Sequence, residues 1–66
     1  MELNEIKSAV MSGQTVYWAN SNYMVKWNGC YLEPRFNIVC IINGWMWGLT
    51  KQDGTMNEDP EKFYLG

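Results

Sequence analysis

The chain is predicted to form an α+β domain in which one N-terminal helix precedes about five short antiparallel strands, arranged as a small curved sheet or half-open barrel. Three observations carry this reading. The first dozen residues repeat their apolar positions with a helical period. From Thr15 onward the period is two, and the strand-like runs are punctuated by Asn-Gly and Asp-Gly pairs of the kind that close hairpins.

The helix is expected over residues 3–12. Leu3, Ile6 and Val10, with Ala9 beside them, form one apolar stripe, and Glu2 and Glu5 fall in the first turn, where the helix dipole favours negative charge. Gly13 stands where a left-handed residue would end it. Strands are expected at about 15–19, 23–27, 30–33, 36–42, 45–50 and 63–65. Asn20-Ser21-Asn22 reads as a break between the first two, because these side chains compete for backbone hydrogen bonds. Asn28-Gly29 reads as a two-residue turn pairing Trp27 with Cys30 and Val25 with Leu32. Asn43-Gly44 reads as a second, pairing Ile42 with Trp45, Cys40 with Trp47 and Ile38 with Leu49. Asp53-Gly54 is a third turn. Asp59 is an N-cap with Pro60 in the favoured first position of a short helical turn. So many short strands in so little chain must curl, which favours an SH3-like barrel with the helix over one mouth; a flat sheet with the helix across one face is the alternative.

Sixty-six residues allow one domain, 1–66, and ordering them costs on the order of 100 kcal/mol at roughly 1.5 kcal/mol each. Nearly every large apolar side chain is therefore needed for the core. The supply is generous: 47% of residues are apolar and ten are aromatic, namely four Trp, four Tyr and two Phe. The net charge of −2 selects no partner. Lys7, Lys26, Arg35, Lys51 and Lys62 stand singly along the chain, without the basic stripe that duplex DNA binding requires. No apolar run approaches the ~20 residues of a membrane span, and acidic residues precede the first apolar stripe, so a cytoplasmic protein without membrane association is expected. Cys30 and Cys40 lack CxxC spacing and read as two reduced, buried thiols.

The residues of catalysis are missing. The chain has no His, which removes the usual general base and the usual metal ligand. Ser8, Ser12 and Ser21 have no activating context, and two Cys cannot complete a zinc site. A calcium loop starting at Asp53 fails because its sixth position is Glu58, where the sharp turn needs Gly. No enzyme, cofactor or metal is expected. Candidate binding residues are of two kinds. If Trp27, Trp45 and Trp47 fill the inner face, Tyr17, Tyr31, Met24 and Met46 fall on the outer one, and exposed Tyr and Met suit a partner surface. Asp53, Glu58, Asp59 and Glu61 crowd the last quarter; they read as a solvated loop, or as an acidic edge able to occupy a positively charged groove.

Ser12-Gly13-Gln14-Thr15-Val16-Tyr17-Trp18-Ala19-Asn20 and Tyr23-Met24-Val25, followed by Gly48-Leu49-Thr50, Asp53-Gly54 and Phe63-Tyr64, resemble small orphan proteins of bacteriophages and mobile elements. The likeness covers most of the chain as a pattern of strands and turns; Cys30, Cys40 and the Trp45-Met46-Trp47 cluster lie outside it, and it carries over no functional residue. It implies a phage or prophage origin, the cytoplasm of a bacterial host, and a protein acting on a host protein complex. Inhibitors of CRISPR–Cas and other immune complexes are the prominent examples. A recognition module for a peptide or single-stranded oligonucleotide, lined by Tyr17, Tyr31 and Trp45 or Trp47, is the alternative, and an oligomeric virion component a third.

One expectation concerns self-association. The segment from Phe36 to Thr50 is apolar on both faces, and one short helix cannot cover two. Hiding Val39, Ile41 and Met46 is worth several kcal/mol at about 25 cal/mol per Å². Either barrel curvature places Val39 and Ile41 under the helix, or a two-fold homodimer buries these residues with Tyr31 at its seam.

Overall fold

A computed structural model describes residues 1–29 and 35–66. It contains α1 (Leu3–Met11), β1 (Val16–Trp18), β2 (Asn20–Asn28), β3 (Arg35–Cys40), β4 (Met46–Gly48), a 3-10 turn (Pro60–Lys62) and β5 (Phe63–Leu65). The helix begins where Glu5 reaches back to accept the Glu2 backbone N–H at 3.0 Å. It ends in a paired cap. Gly13 takes φ +89°, Gly13 N–H donates to Val10 C=O at 3.1 Å, and Gln14 N–H donates to Ala9 C=O at 2.9 Å.

The strands form one open antiparallel sheet in the order β4-β3-β2-β1-β5. Of the two architectures expected, the sheet with the helix against one face is adopted, and its edge strands do not meet. The helix packs on β1 and β2. Ile6 and Ala9 from the helix meet Val16, Val25, Ile38, Leu49 and Phe63 in the core. Val16, Val25 and Ile38 come from adjacent strands, so the period of two delivers one inward side chain per strand to the same layer.

Both turn registers differ from expectation. Trp27 pairs with Phe36, Val25 with Ile38 and Asn28 with Arg35. The partner of β2 is thus β3 itself; Cys30, Leu32 and the strand expected at 30–33 lie outside the described residues. At the next hairpin Ile38 pairs with Trp47 and Val39 with Met46, a two-residue shift from the expected pairing of Ile38 with Leu49. The cause is the turn. A two-residue I′ turn needs φ > 0 at both central positions, but only Gly44 takes it, at +77°, and Asn43 does not. Gly44 N–H donates to Cys40 C=O at 2.8 Å, and Asn43 Oδ1 accepts Trp45 N–H at 2.9 Å, closing a wider loop. Strand β3 therefore stops at Cys40, and Ile42 leaves the sheet. The first turn differs as well. Asn20, Ser21 and Asn22 belong to β2, and the reversal falls on Ala19, a non-glycine residue at φ +65°. The turn chemistry of Asn20 is nevertheless used, since its Oδ1 accepts Asn22 N–H at 2.8 Å.

The last quarter folds as expected. Asp53 Oδ1 accepts both the N–H and the hydroxyl of Thr55, at 2.9 and 2.6 Å, and Gly54 takes φ +89°. Asp59 Oδ1 accepts Glu61 N–H at 2.9 Å and caps the 3-10 turn that begins at Pro60. Cys40 is buried and free; Cys30 is outside the described residues. Among the described residues no helix is long and apolar enough to cross a membrane.

Candidate interaction surfaces

The face opposite the helix carries one residue per strand in a continuous row. Tyr64 pairs with Tyr17, Tyr17 with Met24, Met24 with Val39, and Val39 with Met46. Register partners in an antiparallel sheet share a face, and the alternate residues Val16, Val25 and Ile38 are the buried helix-side set. The row crosses all five strands, about 19 Å at ~4.8 Å per strand. Its two ends are the most open: Tyr64 is 42% exposed and Met46 51%, while Tyr17, Met24 and Val39 are half-buried. The rings of Tyr17 and Tyr64 lie 5.6 Å apart, which fixes both tyrosines at one end of the row.

At the Met46 end the row runs into the β3–β4 loop. Ile41, Ile42 and Trp45 are all exposed there, the last two at 72%. The widened turn is responsible, because it lifts Ile42 and Trp45 off the sheet. Trp45 was expected to fill the inner face and does not. Trp18 and Trp47 do, packing edge-to-face with each other at 5.5 Å and with Tyr23 at 5.2 and 5.9 Å. The indole nitrogens of Trp18 and Trp47 are buried without a hydrogen-bond partner among the described residues. Edge-on packing against aromatic ring faces is the weak compensation open to such donors. Trp27, also expected inside, is 42% exposed.

The residues expected to bind a partner therefore divide. Tyr17 and Met46 lie on one face in one row, with β2 and β3 between them. Tyr31 lies outside the described residues. Asp53 and Asp59 hold turns with their carboxylates, and the two hydrogen bonds from Thr55 keep the Asp53 carboxyl below its ordinary pKa, helped by nearby Lys51. Glu61 is exposed and Glu58 half-buried. No cluster of three His, Cys, Asp or Glu side chains able to hold a metal exists among the described residues. Tyr64 is the member of the row that sequence reasoning did not single out for a binding surface; Val39 was expected on the outer face, under the helix or at a dimer seam. Val39 was visible as an alternating position, whereas Tyr64 joins the row only because β5 returns to pair with β1. No protein-family model, curated protein or solved structure matches this chain.

Proposed function

We propose that this chain is a small non-enzymatic binding protein that docks a larger protein on the sheet face opposite its helix and acts by occupying that partner's surface. The observation that carries this reading is the five-strand row from Tyr64 to Met46, continuous with Ile41, Ile42 and Trp45 at the hairpin tip. Contiguous exposed apolar surface is uncommon on a monomer and characteristically marks an interface. Aromatic and Met side chains bring contact area with little ordering cost. In the form that the phage resemblance implies, the partner is an immune or nucleic-acid-handling complex in the cytoplasm of a bacterial host. Glu58 and Glu61 would then meet the basic groove such a complex presents.

Affinity capture from bacterial lysate tests this with variants on the row. The wild-type chain should retain a nucleic-acid-handling or immune complex, and Met24→Asp and Met46→Asp should lose it while keeping the wild-type circular dichroism. Glu58→Lys should weaken capture at low salt and matter less as salt rises. If no such complex is retained, or if the row variants retain it as well as wild type, the reading fails.

A further inference from the structure

The two edges of the sheet are not alike. At β4, Asn57 Nδ2 donates to Gly48 C=O at 2.7 Å and Asn57 N–H donates to Leu49 C=O at 3.0 Å, so the returning segment covers part of that edge. Nothing among the described residues does this for β5. On its inner side Lys62 C=O accepts Ala19 N–H at 3.0 Å, and Gly66 N–H donates to Thr15 C=O at 2.9 Å. The backbone of residues 62, 64 and 66 therefore turns towards β1. That of Phe63 and Leu65 turns outward, since successive residues of a strand alternate in direction. The outward Phe63 N–H is taken up by Pro60 C=O. The Phe63 carbonyl and both the N–H and the carbonyl of Leu65 are left without a partner among the described residues. Exposed edges are commonly protected by a lysine, a proline or a bulge; Phe63-Tyr64-Leu65 contains none of the three.

A cleft of about 560 Å³ lies beside this edge, between Leu65 and the flank of α1. Asn4, Ser8 and Ser12 line it at helical spacing, a stripe about 12 Å long at 1.5 Å per residue. Glu5 is the only ionisable side chain in its wall, and the Met1 ammonium at its border is engaged by Pro60 C=O at 2.7 Å. Leu65, 50% exposed, shares the helix side with Val16, and Tyr64, 42% exposed, lies on the other. An open edge beside a helix-walled cleft suits a strand: its main chain supplies the missing partners, and its alternate side chains divide between the two sides. We propose that β5 takes up an extended segment of a partner protein as a further strand of the sheet. Residues of that segment that enter the cleft are polar and neutral or basic, matching Asn4, Ser8 and the Glu5 carboxylate. Those on the other side are apolar and meet Tyr64. The edge adjoins the row described above at Tyr64 but uses none of its other members, so this uptake does not depend on the row's docking a protein.

The probe is an acetylated and amidated peptide of alternating valine and lysine, added to the labelled protein while the Leu65 amide resonance is followed. The amide should shift downfield and its hydrogen exchange should slow. The same peptide N-methylated at every backbone nitrogen keeps its side chains and charges but cannot donate to the Phe63 and Leu65 carbonyls. It should leave Leu65 unmoved. Glutamate in place of lysine should weaken binding. Leu65→Pro removes the outward N–H at a position where an edge strand tolerates proline. It should weaken binding of the labelled peptide, read by anisotropy, about tenfold, and Leu65→Ala, which keeps the N–H, should lose less. Met46→Asp should bind the peptide as wild type does, whatever it does to capture from lysate. A Leu65 amide unmoved at millimolar peptide overturns the proposal. So does equal binding of the N-methylated peptide, which would mean charge attraction alone. A Leu65 amide that moves with protein concentration alone would assign the edge to a second copy and overturn it too.

Discussion

Ile38 and Val39 are consecutive residues of β3, similar in size and apolarity, with opposite fates. Ile38 is fully buried beneath α1, and Val39 on the other face is half-buried and faces no helix. The same contrast holds along β2, where Val25 is buried and Met24 is not. Composition separates the two faces in part, since Lys26, Asn28, Arg35 and Asn37 share the face of Met24 and Val39; for the apolar residues the difference is what covers them. Alternation decides which residues share a face, but only the placement of a single nine-residue helix decides which face becomes the core. An apolar face left over is then a surface available for binding.

The largest expected effect tests that contrast directly. Ile38→Ala should cost about 2–5 kcal/mol, the range for emptying a packed core site. That is comparable to the whole stability of about 3–5 kcal/mol that a core this small supplies, so urea titration should find the variant largely unfolded. Val39→Ala should cost under about 1 kcal/mol, as a partly exposed truncation does. Equal losses at the two positions would mean that something covers both faces.

A smaller effect concerns association. Ile41 is 54% exposed, so the helix does not cover it within one chain, and Ile41→Lys should lower the urea midpoint only by what subunit association contributes, an effect that vanishes on dilution. Sedimentation equilibrium at micromolar concentration decides whether a second copy competes for that face: a wild type heavier than its 7.7 kDa monomer, with the variant a monomer, would place a homodimer there. A wild-type monomer would assign the apolar face to a different protein and remove the homodimer.

The smallest effect is electrostatic and local. The Asp53 carboxyl titrates below its ordinary value because Thr55 hydrogen-bonds its charged form. A depressed folded pKa contributes stability that is complete above the unfolded value and is lost as pH falls through the folded one. Thr55→Val should move the Asp53 titration, followed by carboxyl carbon resonances, upward towards the unfolded value. It should also shrink the difference in melting temperature between neutral and strongly acidic solution. A titration that stays put in Thr55→Val would assign the shift to the Thr55 backbone N–H, which the variant keeps, and to Lys51.

The parts of the fold that were legible in the sequence are those set within a few residues. The helix and its Gly13 cap, the Asp53-Gly54 turn and the Asp59-Pro60 cap all follow from side chains that bond their own neighbourhood. Register was not legible, because Asn-Gly announces a turn without fixing its length. Asn43-Gly44 closes a wider loop, and that difference alone turns Ile42 and Trp45 from inner-face residues into exposed ones. The reversal at Ala19 gave no signal, since its positive φ is imposed by the pairing on either side. On the candidate surfaces, Tyr17 and Met46 were legible from alternation. Tyr64 was not, because nothing local to Phe63–Leu65 shows that β5 returns to pair with β1.

The strand order also bears on how the molecule assembles. Strands β1 to β4 meet their sequence neighbours, whereas β5 must return across the chain to pair Leu65 with Val16. Closing that loop costs about 2 kcal/mol more than closing the β3–β4 hairpin, by the logarithmic dependence on loop length. Local hairpins are then the early events, and β5, with Phe63 as the last plug of the core, is the late one. Substitutions at Phe63 would chiefly hasten unfolding, and those at Val25 or Ile38 would chiefly slow folding. Until β5 arrives, β1 is an open edge next to an unsealed core, and in that interval the chain is most exposed to pairing with the wrong strand.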